Sequence, residues 1–137
     1  MKIVADTSAF MAILLKEDDA GGYRQAMLEA DQVNVSAATA VELHIVITAR
    51  FGAQGILLLN RLLAQPLFEI IAVDSEQVLH ACQGYERFGK GRHPAQLNYG
   101  DLFAYALAKS RDLPLLFKGE DFIKTDIEPY FKVPGVE

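Results

Sequence analysis

Four carboxylates stand at places in the chain where chemistry can use them. Asp6 closes the apolar run Ile3-Val4-Ala5, and Glu42 interrupts the stretch that holds Ala40, Val41, Leu43, Ile45, Val46 and Ile47. Asp101 follows Gly100, and Asp121 follows Phe117-Lys118-Gly119-Glu120. Carboxylates brought together repel one another, and each holds its proton more tightly unless a cation intervenes. Mg²⁺ and Mn²⁺ are bound by a few carboxylates, waters and substrate phosphate oxygens. Such an ion activates water and neutralises charge in an in-line displacement at a phosphodiester. The chain's own charge gives that ion a second purpose. At a net charge of −5 and a pI of about 5.2, no general positive field draws nucleic acid to it. Activity on RNA or DNA therefore needs a local basic patch or a metal as anchor.

Each acid also has a plainer reading. Asp6 or Ser8 can simply N-cap the helix that follows the first strand. Glu42 is too far past Ser36 to be a capping-box acid. An unpaired buried carboxylate is costly or turns neutral, so Glu42 lies on an exposed strip, is paired, or binds a metal. With Asn98 as N-cap, Asp101 falls in the first turn of a helix, where an acid gains about 0.3–1 kcal/mol from the helix dipole. The same helix start would aim its carboxylate into a crevice, and Gly100 would allow close approach. Asp121 suits a turn or cap. His44, two residues past Glu42, points to another helix face and reads as partner-facing or core. Tyr105, one turn beyond Asp101, reads as packing. Cys82 is the only cysteine, which excludes an intramolecular disulfide and a thiolate metal site. It reads as a core filler.

Positioning these residues takes a sheet and the helices around it. A chain of 137 residues is expected to be a single domain, 1–137, with a real core. Apolar and branched runs place strands at 3–5, 33–35, 68–73 and 113–117, with a last strand at 130–133. Helices are expected at 9–15, 23–30, 37–51, 54–64, 75–88 and 99–111, and a turn or short helix at 121–125. Lys16-Glu17-Asp18-Asp19 followed by Gly21-Gly22 reads as a solvated break, Gly52 as a helix end, and Pro66 as the stop to the fourth helix. Helix 37–51 is so apolar that it is expected to be buried on most sides. Strands alternating with helices give an α/β fold, a three-layer α/β/α arrangement with a short-stranded parallel sheet of Rossmann-like character. In such sheets the crevice lies past the carboxyl ends of the strands, which is where Asp6 and Asp121 fall. No glycine-rich dinucleotide fingerprint and no P-loop is present. No secretory leader and no long uninterrupted apolar run is apparent. The expected location is the cytoplasm, with no membrane partner.

Taken in order, the motifs resemble a known family. Val-Ala-Asp6-Thr-Ser8-Ala, the lone Glu42, Gly100-Asp101-Leu-Phe-Ala-Tyr-Ala-Leu-Ala and Leu-Leu-Phe-Lys-Gly-Glu-Asp121-Phe resemble a PIN domain. More narrowly they resemble VapC-type toxins of bacterial toxin–antitoxin pairs, over essentially the whole chain. The resemblance implies a Mg²⁺- or Mn²⁺-dependent endoribonuclease with Asp6, Glu42, Asp101 and Asp121 as an acidic quartet. Ser8 matches a polar position that supports the site. It also implies a homodimer, held inactive by a cognate antitoxin whose tail enters the active site. One motif departs from the pattern. Many members have Gly-Asp-x-x-Phe, with the acid three residues before the phenylalanine, and here Gly119 holds that place. Glu120 and Asp121 are the candidates for the fourth acid.

The expected mechanism has Asp6, Glu42 and Asp101, with Asp121 bound directly or through water, holding one or two ions. A water deprotonated with help from one of these acids attacks an RNA phosphodiester. Lys90, Arg92 and His93, in the glycine-flanked loop ahead of Asp101, would contact the RNA backbone; an ordinary solvated turn is the plainer reading of that loop. The rival class is a PIN-like module with a degenerate site that only binds RNA or protein. An aspartyl phosphohydrolase of the haloacid dehalogenase type would need an acid two residues after Asp6, where Ser8 stands.

Overall fold

Branched and aliphatic residues dominate the sheet strands, and β1 (Lys2–Ala5), β2 (Gln32–Ser36), β3 (Phe68–Ile71) and β4 (Leu115–Leu116) pair in parallel. The computed structural model describes residues 1–132. The strand order is β3-β2-β1-β4. The chain thus steps outward from β1 to β2 and β3, then returns to the other side of β1. At that reversal the loops leaving β1 and β4 part to opposite faces, and a crevice opens at their carboxyl ends.

Alternation along the strands sends side chains to two cores. Ile3, Ala5, Val33, Val35 and Leu116 pack on one face with α1 (Thr7–Leu14), α2 (Ala20–Glu29) and α3 (Ala37–Leu63). Val4, Leu115 and Phe117 pack on the other with α4 (Ser75–Phe88) and α5 (Asp101–Arg111). The three-layer α/β/α expectation holds. A short 3-10 turn, Phe122–Lys124, follows β4.

Several local expectations are corrected. The expected break is present over residues 16–19, but α2 begins at Ala20, so Gly21 and Gly22 are helical and take no part in it. Burial of Tyr23, Ala26 and Met27 outweighs the weak helix propensity of two glycines. The expected helices at 37–51 and 54–64 run on as α3, with a kink at Gly52 (φ 62°, ψ −152°), a conformation that glycine adopts without steric cost. Helix α3 is long and apolar enough by length and composition to cross a membrane. In this fold Leu43, Ile47 and Leu59 close the first core. It is not buried on most sides, since Val41, Ile45, Phe51, Leu57 and Leu58 are exposed. Cys82 is exposed and fills no core, because α4 turns Gln77, Ala81, Gly84 and Phe88 inward instead. The last strand expected at 130–133 reduces to an isolated bridge between Leu115 and Pro129, a proline having no amide for a ladder. Val133 lies outside the described residues.

Candidate active site

The switch point of the sheet collects the acids from four separate stretches. Asp6 follows β1 directly, its amide bonding the Leu116 carbonyl at 3.0 Å. That backbone bond ties it to β4. It is 4% exposed, and it does cap α1, its Oδ2 accepting from the Ser8 amide at 3.1 Å. The same oxygen accepts from Ser8 Oγ at 2.7 Å. Ser8 Oγ in turn accepts from the Lys118 amide at 2.9 Å, which obliges its hydroxyl proton to point at Asp6. The chain after β4 thereby orients the carboxylate after β1. Lys118 is itself fixed, Nζ lying 2.7 Å from Glu17 and 3.1 Å from Asp19.

Glu42 is half-buried on α3, and its Oε1 accepts from the Thr7 hydroxyl. Its other oxygen faces Gly100, where a Cβ would overlap it. Gly100 has ordinary helical angles, φ −62° and ψ −40°. Glycine is needed there for space alone.

Asp101 starts α5 through a reciprocal pair. Its amide donates to Asn98 Oδ1 at 3.1 Å, and its Oδ2 accepts from the Asn98 amide at 3.0 Å. Asn98 was expected at the N-cap; that position falls on Gly100, and Asn98 instead accepts from the first helical amide across the preceding turn. Burial, and then the charges of Asp6, Asp121 and Glu42, push Asp101 up to about 6. Burial likewise raises Asp6, against the lowering effect of Ser8 and with Glu42 adding to the rise. Asp121 is exposed on the turn after β4 yet near enough to act on Asp101. Glu120, exposed on the same turn, is not among the groups that act on it. Gly119, at φ 107°, makes that turn possible.

The donor set is suited to a hard cation. Asp6, Glu42 and Asp101 each have one oxygen tied by the bonds above, and the second accepts from no other side chain among the described residues. Their negative charges are mutually unfavourable, which a divalent ion would relieve. Among the described residues no three acids stand close enough to hold one ion unaided. Mg²⁺ asks for less than that, taking one or two carboxylates and keeping several waters.

The basic loop is divided. Lys90 and Arg92 are exposed, and among the described residues neither has a carboxylate partner, whereas Arg87, Lys109, Lys118 and Lys132 are paired. His93 is turned to structure: its Nδ1 accepts from the Ala95 amide at 3.0 Å, and its ring sits edge-on to Phe88 at 5.1 Å. Its place as an RNA contact is weakened, since that bond holds the loop closed. His44 is exposed. Tyr105 is packing, with its hydroxyl donating to Asp126 at 2.8 Å. Thr7 is the site residue that reading the sequence overlooked. Its only signal was a hydroxyl between Asp6 and Ser8.

The PIN domain family model matches residues 3–128. Ribonuclease VapC30 of Mycobacterium tuberculosis is 47% identical over 126 residues, covering 91% of this chain and 95% of that protein. Ribonuclease VapC of Mycolicibacterium smegmatis is 46% identical over 125 residues, covering 91% and 97%. Among solved structures, M. tuberculosis VapC20, described as a Sarcin-Ricin loop cleaving toxin, superposes with a TM-score of 0.75 at 12% identity, over 91% of this chain and 95% of that one. DNA-bound VapBC from Salmonella typhimurium gives 0.74 at 16% identity, over 94% and 96%. At such identities the structural matches speak for the fold.

Proposed function

Since the chain belongs to the PIN domain family, with VapC ribonucleases among its relatives, we infer that it is an endoribonuclease. It is the toxin half of a toxin–antitoxin pair, inhibited by a cognate antitoxin and acting on RNA in the cytoplasm. One observation carries the chemical reading: Asp6, Glu42 and Asp101 reach the switch point from three elements, and Asp101 is pushed up to about 6 by burial and by the other acids. That is a site whose charge is unfavourable until a cation arrives.

Asp6 and Asp101 are the residues proposed to hold Mg²⁺ or Mn²⁺, with Glu42 and Asp121 completing the site directly or through water. When bound, the ion would supply the positive charge that anchors a phosphate in an acidic protein and favours ionisation of water. The chain's own residues do the rest. Ser8, held by the Lys118 amide, fixes which Asp6 oxygen stays free. Thr7 holds Glu42 in the same way. One of these acids takes the proton of the attacking water. Lys90 and Arg92, without a carboxylate partner among the described residues, offer charge for the RNA backbone.

Two measurements test this reading. RNA cleavage should be abolished in Asp6→Asn, with the circular dichroism of the parent retained. A thermal melt without antitoxin should rise with millimolar Mn²⁺ in the parent and stay put in Asp101→Asn. A ligand of the native state adds roughly 2.7 kcal/mol at a hundred times its dissociation constant. Cleavage by Asp6→Asn at the parent rate would dismiss the acidic site. The second reading, a degenerate binding module, draws on the acids standing too far apart to hold an ion unaided. No cleavage and no shift with Mn²⁺ would establish it.

A further inference from the structure

We propose that Tyr99, with Tyr85 across a shallow groove, is a stacking platform for an unpaired base of the RNA next to the scissile phosphate. This rests on the ribonuclease reading above. Tyr99 is 72% exposed, an unusual state for a tyrosine in a turn closed by side-chain bonds. The reciprocal Asn98–Asp101 bonds clamp the residues on either side of it. Its ring meets that of Phe103 in a T-shaped contact, with centroids 5.0 Å apart, and most of the side chain stays open to solvent. Asn98, which lines the same groove, donates its amide to the Asp101 carboxylate at 3.0 Å, so the groove adjoins that acid.

The far side of the groove supplies what single-stranded RNA requires. Tyr85 is exposed, and Lys90, Leu97, Asn98 and Leu102 complete the lining, with Glu86 on the adjoining side of the two tyrosines. Arg92 lies over the Tyr85 ring, 5.5 Å from its centroid. Exposed aromatic faces beside unpaired cations are the means by which proteins hold unstacked bases and track their phosphates. In an acidic chain this combination favours a nucleotide over an acidic peptide. Its position beside Asp101 also favours substrate over a remote partner.

The test is binding of a fluorescein-labelled, randomised 20-nucleotide single-stranded RNA, followed by anisotropy, beside a duplex RNA of the same length. Base stacking is lost by alanine substitution at about 1–3 kcal/mol per base, so Tyr99→Ala should weaken single-strand binding about 5- to 150-fold. Tyr99→Phe should bind as the parent does, and duplex binding should be unmoved in both. Single-strand affinity in Tyr99→Ala equal to the parent's, in a parent that cuts RNA, would overturn the platform and leave the ribonuclease reading intact. A parent that neither binds nor cuts RNA would overturn both. Loss of affinity for the antitoxin's carboxyl-terminal peptide, with RNA affinity unchanged, would assign the groove to protein and overturn the proposal.

Discussion

Asp101→Asn should make the metal-free protein more stable while leaving it inactive. The carboxyl of Asp101 is raised from 3.8 to about 6, by burial first and then by Asp6, Asp121 and Glu42. A raised acid favours folding while it is protonated. Its contribution is complete below about pH 3.8 and is lost as pH rises through about 6. Two pKa units correspond to about 3 kcal/mol. The residue is half-buried, so solvent screening reduces this to roughly 1–2 kcal/mol. An asparagine keeps the turn, because its side-chain oxygen can still accept from the Asn98 amide as Asp101 does at 3.0 Å. It removes the charge that the neighbours oppose. In EDTA at pH 7.5 the variant should therefore melt higher than the parent by about 3–8 °C. The gap should shrink towards pH 4. Urea unfolding at both pH values would measure it. A variant equal to or below the parent at pH 7.5, or an advantage that does not change with pH, would refute the account of a charge-crowded site.

Two further substitutions separate geometry from charge. Thr7→Val keeps the shape of the side chain and removes the hydroxyl that binds Glu42; kcat should fall about 10- to 100-fold, as is common when the partner of a site carboxylate is lost. Thr7→Ser should restore the rate, and a fully active Thr7→Val would discard the role. Gly100→Ala suits the backbone, whose angles are helical, but its methyl would overlap Glu42 and turn that carboxylate away. Stability should change by less than about 1 kcal/mol while cleavage falls sharply, and an alanine variant that cuts at the parent rate would show that Glu42 need not stand there.

What could be read from the sequence was whatever a residue's own neighbours decide. Asp6 ends a strand because Ile3-Val4-Ala5 is short and apolar, and Asn98 bonds the start of α5 because Asp101 stands three residues on. Both are local, and both came through. The partners of Thr7 and Gly100 lie far off in the chain, where α3 lays Glu42 between them. No spacing rule encodes such a contact, so Thr7 stayed hidden between two residues that were noticed. The same limit explains α3 and Cys82. Apolar content says a side chain can be buried but not that a neighbour exists to bury it, and Val41 and Ile45 are exposed. His93 has a structural part that its place in the chain did not signal. A histidine in a basic loop reads as a phosphate contact, yet the Ala95 amide occupies its Nδ1 and Phe88 its ring. Tyr99 shows why this matters for function. Its position at a helix start marked it as an ordinary opening residue, and only the bonds closing its turn and the exposed ring show that the chain spends an aromatic side chain where burial gains nothing. A large apolar surface left open beside a charge-crowded carboxylate is accounted for by a ligand that stacks on one and is cut at the other.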